Sequence, residues 1–593
     1  MKIDANTFDP RRYFRGANFF QLRRGNHREL AVTNLLAALT GIIAGYAALG
    51  FRGMISFFQN LFLLHSVSFA EVSPLDHVRG LWIILFPAVG LTLSYYTCKW
   101  FAPEAEGHGV PEVIEAVMAK GGRMKKRVVI VKALASSLTI GSGGSVGQEG
   151  PVVQIGSAAG SAFGQLFQVR TKLLKILVGC GATGAIAATF NTPIAGVIFA
   201  VELILFEFKF RSFVPLVIAS VFATMITRIY LGEHVAFDVP TYSIDNPVEL
   251  LFYIGLGFGA GAIAVFFIKT LYGIEDTMRA IKTPFFIKSI GAGLIVGLVG
   301  YRFPDIFGSG YDAISSALNQ GMTLPLLLTL LILKIFMTSF TLAGGGSGGV
   351  FAPSLFLGAM FGGVFGEVLK EFFPDFAINS GAYALVGMAA FFAGASRATF
   401  TSIVILFEMT SDYSIILPLM LACVVSSETA WLLSRHSIYS LKLARRGLNM
   451  ITDMGVNVIE KTMVGDIMTE DPLAAKEDIS LEAAHERFSK YHHKIFPVIN
   501  DKGVLLGSFT RHELETAYQK NIKDAATVAL SEIVNPVANV AFPKESVQDA
   551  LNRIQPGRST RIFVVKPDSK KLIGVVSPSD FVRMMTKAEG SDE

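Results

Sequence analysis

A lone carboxylate raises the question of what this chain does. In GSGGSVGQEGP, residues 141–151, Glu149 stands among five glycines, and no other side chain between Lys132 and Arg170 is ionisable. An acid isolated in an apolar, helix-breaking stretch is a functional candidate by default, because a charge in such surroundings is costly. The same stretch carries complementary chemistry. A glycine-rich turn followed by proline at the first helical position starts a helix, and Pro111, Pro151 and Pro353 fit that role. The first N–H groups of a helix lack an intrahelical acceptor and, with the helix dipole, attract an anion. Several such helix starts could hold one anion without the full Lys or Arg pairing that would prevent its release. Glu149 would then be a tethered anion that competes for the site and leaves on protonation. The plainer reading is a carboxylate that only caps its own helix.

These helix starts need positioning elements, and the chain supplies them twice. Pro151 aligns with Pro353 (353 − 151 = 202), and Gly143, Gly144, Ser145 and Gly147 then meet Gly345, Gly346, Ser347 and Gly349. Gly107 of GHGVPEVIEA meets Gly308 of GSGYDAISSA (308 − 107 = 201), and Glu202, ending GVIFAVE, meets Glu408, ending SIVILFE (408 − 202 = 206). Three motifs in one order at nearly one spacing point to a duplication. Duplicated apolar halves interrupted by Gly and Pro at matching positions are the signature of an inverted-repeat transporter, with its site where broken helices meet.

Composition agrees. Of 593 residues, 51% are hydrophobic and 17% charged, against about a quarter charged in soluble chains. Runs such as Leu81–Tyr96, Leu250–Phe267 and Leu324–Phe340 reach membrane-spanning length. The expectation is an all-α polytopic membrane protein in contact with lipid. Residues 1–30 form an N-terminal segment without a signal-peptide pattern, and Arg11, Arg12, Arg15, Arg23, Arg24 and Arg28 argue that this end is cytoplasmic. The net charge of +5 reads as membrane orientation, not nucleic-acid binding. Cys98, Cys180 and Cys423 lie far apart in apolar segments and imply no disulfide or metal. The membrane part is expected over 31–442, as repeats of about 31–235 and 245–442, followed by a linker at 443–461.

Residues 462–593 change character, giving helix, strand, turn, strand and helix twice, at about 462–520 and 528–593. This region resembles a tandem pair of CBS domains, an α/β unit whose family often binds adenine nucleotides such as ATP. Ser577-Pro-Ser-Asp580 fits the family's ribose-binding [ST]-x-x-D, whereas the first copy has Thr510-Arg-His-Glu513. A structural disc without ligand is the alternative.

The membrane part resembles the CLC family of chloride channels and proton/chloride exchangers. Gly107-His-Gly-Val-Pro111, Gly147-Gln-Glu-Gly-Pro151 and Gly349-Val-Phe-Ala-Pro353 match its three filter motifs in order, and Tyr439 fits its late tyrosine. The resemblance implies an inverted-repeat membrane homodimer with broken helices, one pore per subunit, both termini cytoplasmic, and chloride as the transported ligand. It implies Glu149 as the gate and anion-binding groups at His108, Gly109, Gly147, Gln148, Gly150, Val350, Phe351 and Tyr439. Three departures bear on mechanism. His108 replaces a serine, and its imidazole could donate to the anion or point away. Gln148 replaces a basic residue at the outer mouth. Leu203 stands where many family exchangers carry a second acid that shuttles protons, leaving Glu202, the match to the first acid, as a candidate proton path with water or Glu207 as alternatives. A passive channel or loosely coupled exchanger is therefore expected.

Rival classes fare less well. Gly143-Gly-Ser145-Val-Gly147 has the G-x-S-x-G form of a hydrolase elbow, but its flanks are membrane-like and no strand precedes it. No enzyme is expected. A CBS-regulated cation channel or transporter remains the alternative, although cation paths favour acidic rings or carbonyls over helix-start amides.

Overall fold

Glycine and proline divide the apolar chain into helices of unequal length. In the first half run α1 (Asn26–Gln59), α2 (Phe86–Phe101), α3 (Val110–Met118), α4 (Arg127–Gly141), α5 (Glu149–Leu166), α6 (Thr171–Phe190), α7 (Pro193–Phe199) and α8 (Phe210–Leu231). The second half repeats the order: α9 (Glu249–Ala280), α10 (Phe285–Arg302), α11 (Tyr311–Leu318), α12 (Leu324–Ala343), α13 (Phe351–Phe372), α14 (Ser380–Ser396), α15 (Thr399–Thr410) and α16 (Ile416–Leu433), with a short α17 (Ser440–Ala444) after it. The computed structural model describes residues 26–64, 66–69, 80–233, 237, 247–376, 378–448, 462–491, 493–522, 524–536, 539–552 and 561–581. The basic cluster from Arg11 to Arg24 and linker residues 449–461 lie outside them.

Helix starts reproduce the sequence offsets: α13 begins 351 − 149 = 202 residues after α5, α11 begins 311 − 110 = 201 after α3, and α15 begins 399 − 193 = 206 after α7. Among the described residues, nine helices are long and apolar enough to cross a bilayer. Between apolar helices in lipid, close packing through small residues replaces the hydrophobic drive available in water. Added methyls on Gly156 and Gly160 of α5 would strike carbonyls of α6, and those on Gly358 and Gly362 of α13 would strike carbonyls of α14. The two halves therefore use the same contact at the same offset (358 − 156 = 202).

The prolines sit one or two places further into their helices than their sequence context suggests. Pro111 is the second residue of α3, and Pro151 and Pro353 are the third residues of α5 and α13. The physical role survives, since any first-turn N–H is unpaired within the helix and proline forfeits nothing there.

The chain divides after Leu448 into two compact units. In the second, β2 (Ala475–Lys476), β3 (Ile495–Ile499) and β4 (Leu505–Thr510) form one sheet, with β2 parallel and β4 antiparallel to β3. A second sheet has the order β1-β7-β6-β5, built from β1 (Thr469–Glu470), β5 (Val540–Ala541), β6 (Ile562–Val565) and β7 (Leu572–Val576). Because β1 precedes the first sheet in sequence yet pairs with β7, the two copies interlock.

Candidate anion site

The three glycine motifs meet backbone to backbone. Gly147 N–H donates to the Gly349 carbonyl at 2.8 Å, and Gly349 N–H donates to the Gly147 carbonyl at 2.7 Å, forming a two-residue antiparallel bridge between the halves. A Cβ on Gly349 would lie 2.7 Å from Gly150 N, and one on Gly150 would strike the His108 carbonyl. No side chain fits at either position, so glycine here permits approach rather than flexibility.

Glu149 is the first residue of α5 and is buried. Its Oε2 accepts the Ala352 N–H at 3.2 Å, and its Oε1 accepts the Tyr311 hydroxyl. Both bonds reach the other half of the molecule: Ala352 lies in the first turn of α13, and Tyr311 opens α11. The carboxylate thus lies on the start of a second helix, beyond the reach of a simple cap. Val350 precedes α13 and Phe351 begins it, but the bonded donor is the next residue, Ala352. The amides of two other expected donors are taken within the protein. Gly147 N–H serves the glycine bridge, and Gly109 N–H donates to Glu112 Oε2 at 2.9 Å. Gly150 lies against His108 and Gly349.

His108 is buried, and its Nδ1 has no hydrogen-bond partner among the described residues. Its ring lies 6.0 Å from that of Tyr272, whose hydroxyl donates to the Ile438 carbonyl at 2.6 Å. Tyr272 therefore lies between His108 and the segment carrying Tyr439, the residue preceding α17, which is also buried. Glu112, two residues beyond the Gly109 turn's start of α3, pairs with Lys442 at 2.7 Å and Arg446 at 3.1 Å, fixing α17 against α3. Gln148 lines a small, partly open pocket together with Arg52 of α1. Arg52 is thus a basic residue from elsewhere in the fold that lines the same pocket as Gln148.

Two buried lysines escaped the sequence reading. Lys132 Nζ donates to the carbonyls of Ala105 at 3.0 Å and Gly107 at 2.7 Å, and Lys334 Nζ donates to those of Ile306 and Gly308, both at 2.9 Å. Neither forms a salt bridge among the described residues. Their spacing, 334 − 132 = 202, equals the proline offset, and that was the available signal. Thr139 and Thr341 behave likewise: the first accepts Ser347 N–H at 3.0 Å and the second accepts Ser145 N–H at 3.1 Å. Such reciprocal contacts are those of a two-fold-related pair.

Glu202 takes part in the same reciprocity. Its carboxylate accepts the N–H groups of Phe400 at 3.2 Å and Thr401 at 2.7 Å and the Thr401 hydroxyl at 2.6 Å, while Glu408 accepts the N–H groups of Ile194 at 3.0 Å and Ala195 at 2.6 Å. Each acid ends one half's segment and caps the first turn of its counterpart, α15 or α7, where a negative charge is favoured. Leu203 beside it is buried, and Glu207 is occupied by Lys209 and Ser212. Glu202→Gln is expected to lower thermal stability by about 1–2 kcal/mol while leaving chloride flux and its pH response in place. Thermal denaturation in detergent, paired with liposome efflux, checks this; an altered pH response with unchanged stability would make Glu202 a proton carrier instead.

In the second unit both nucleotide-motif acids reach back to the residue three places before them, and the Thr510 pair completes a capping box through Glu513 N–H donating to the Thr510 hydroxyl at 3.2 Å. Asp580 Oδ2 accepts the N–H and hydroxyl of Ser577 at 2.8 and 2.6 Å, and Glu513 Oε2 accepts the N–H and hydroxyl of Thr510 at 2.7 and 2.8 Å. The two copies share these two bonds to the acid despite their different acids, while Asp580 N–H donates to the Ser577 carbonyl at 3.0 Å.

The duplicated, broken helices and the acid gathered among their starts define a membrane protein of the inverted-repeat transporter class. A family model described as "Voltage gated chloride channel" matches residues 90–430, and one described as "CBS domain" matches residues 464–520 and 530–587. The chain belongs to the voltage gated chloride channel, or CLC, family and carries two CBS domains. It is 31% identical over 458 residues to the H(+)/Cl(-) exchange transporter ClcA of Salmonella paratyphi B, an alignment covering 75% of this chain and 95% of that one. A solved slow cyanobacterial Cl-/H+ antiporter shares 27% identity over 70% of this chain and 97% of its own, with a TM-score of 0.63. A eukaryotic CLC transporter, 21% identical, shares the fold over 93% of this chain and 98% of its own, with a TM-score of 0.62.

Proposed function

We propose that this chain transports chloride across the membrane along a path lined by helix starts and closed by the Glu149 carboxylate. One observation carries the reading: the carboxylate is seated on the Ala352 N–H at the start of α13, so the protein's own anion takes a position suited to a passing one. The relatives' names support chloride as that ion. The amides of Gly109 and Gly147 act here as struts, and the remaining donors, among them those near Gly150, Val350 and Phe351, serve the anion when Glu149 withdraws. His108 and Tyr439 bound a second, central position. The unpartnered His108 Nδ1 supports a hydrogen bond from the ring to an anion there. Lys132 and Lys334 add positive charge behind the loops without contacting the ion directly.

Proton coupling is loose in this reading. Leu203 carries no proton, and Glu202 is engaged in capping α15. Strict exchange is the second reading, favoured by the exchange and antiport names of the relatives. Homodimer assembly with cytoplasmic termini follows from the family resemblance. Adenine nucleotide at Ser577 and Asp580 belongs to the same reading, with the [ST]-x-x-D motif as its support; the capping bonds of Asp580 serve a ligand-free disc equally well. The test is purified full-length protein in liposomes under a chloride gradient, with internal pH followed. The expected result is chloride efflux moving far fewer protons than a strict exchanger would. Tight uphill proton uptake would replace loose coupling with exchange, and cation flux without chloride flux would overturn the anion assignment.

A further inference from the structure

Resting on the reading of Glu149 as the gate, we propose that Tyr311 is its latch: the phenol holds the carboxylate closed and so sets how readily it yields to chloride or to a proton. Tyr311 is a positioning residue from the opposite half, and three features aim it. It follows Gly308-Ser-Gly310, where both glycines have positive φ (55° and 78°), and a Cβ on Gly310 would lie 2.6 Å from the Phe356 ring. The turn must therefore be glycine to deliver Tyr311 as the first residue of α11. The Tyr311 ring is held edge-on by Phe190, at 6.5 Å and 85°, and by Phe237, at 5.8 Å and 65°. Held this way, its hydroxyl meets Glu149 Oε1 while the Ala352 amide meets Oε2, so both carboxylate oxygens are gripped by the second half.

The repeat shows that the phenol is an addition to the fold. The matching residue in the first half is Val110 (311 − 110 = 201), which begins α3 without any side-chain donor. Starting a helix after this glycine turn does not require a hydroxyl; holding a carboxylate does. A hydrogen bond to the ionised form stabilises that form, and one to a charged partner is among the stronger kinds. Among the described residues, the charged and titratable groups facing this pair are Lys334 on α12 and Tyr439 towards the carboxylate, and Arg52 on α1 towards the phenol, which the Gln148 side chain also reaches.

The experiment compares wild type, Tyr311→Phe, Glu149→Gln and the double variant in liposome chloride efflux across pH, with chloride affinity measured by calorimetry in detergent. Tyr311→Phe removes one oxygen and keeps the ring. It is expected to raise efflux near neutral pH about tenfold, tighten chloride binding by a similar factor and move the pH profile towards higher pH. In the Glu149→Gln background the same change is expected to do nothing, since no carboxylate remains to be latched. A wild-type pH profile and affinity in Tyr311→Phe, with Glu149→Gln still altered, would overturn the latch alone. An equal effect of Tyr311→Phe in both backgrounds would also overturn it, by making the phenol a matter of packing. A wild-type pH response in Glu149→Gln would remove the gate reading and the latch with it.

Discussion

Glu149→Gln leaves a chloride flux that no longer changes between about pH 7.5 and 4.5, while wild-type flux rises as the solution is acidified. The sign follows from which form is held. The ionised carboxylate accepts the Ala352 amide and the Tyr311 phenol, and protonation removes the charge that makes these bonds strong. Each such bond contributes about 1.5–3 kcal/mol. A neutral amide at this position competes poorly with chloride, so neutral-pH flux is expected to rise at least about tenfold. The fold tolerates the change, because glutamine has the same shape and the first turn of α5 remains supported by Pro151. Efflux from liposomes at several pH values checks this. An unchanged pH profile would mean that Glu149 is a structural cap, and that chloride passes elsewhere.

Lys334→Met produces the second large effect, a loss of chloride affinity of more than about tenfold together with reduced thermal stability. Two buried carbonyls, those of Ile306 and Gly308, lose their donor, and each unpaired group costs about 1–3 kcal/mol. These carbonyls shape the turn that presents Tyr311 to Glu149, so the loop relaxes where the carboxylate is gripped. A buried cation without a salt bridge also favours any nearby anion, and methionine removes that attraction at nearly constant volume. Calorimetric chloride titration beside a melting curve separates the two contributions. Reduced stability with unchanged affinity would confine Lys334 to holding its loop. Lys132→Met is the matched comparison, because Lys132 holds the Ala105 and Gly107 carbonyls in the same manner.

The contrast between these lysines and Glu149 explains what was legible. Glu149 drew notice because an acid stood alone in an apolar, glycine-rich stretch. Lys334 stands equally alone in LTLLILKIFMTS, and Lys132 follows Arg127 by five residues in RVVIVKALASS, but an ammonium on a long stem in an otherwise ordinary helix carries no local signal. Only their shared offset of 202 ties them to the filter. Glu202 and Glu408 were aligned correctly as counterparts, yet their exchange of caps could be seen only once each acid lay against the other half. Tyr311 carries no such signal in GSGYDAISSA, because nothing near it in sequence suggests a carboxylate partner 162 positions away.

The sequence by itself determined the apolar spans, the duplication, the places where helices start and the paired α/β units, because hydropathy and helix-start chemistry act over a few neighbouring residues. Tertiary packing alone decided that Ala352 rather than Val350 or Phe351 meets Glu149, that the amides of Gly109 and Gly147 bond inside the protein, and that Arg52 lines the same pocket as Gln148. Those choices depend on how segments some two hundred residues apart close on one another, where a difference of one residue rotates a donor away from its acceptor.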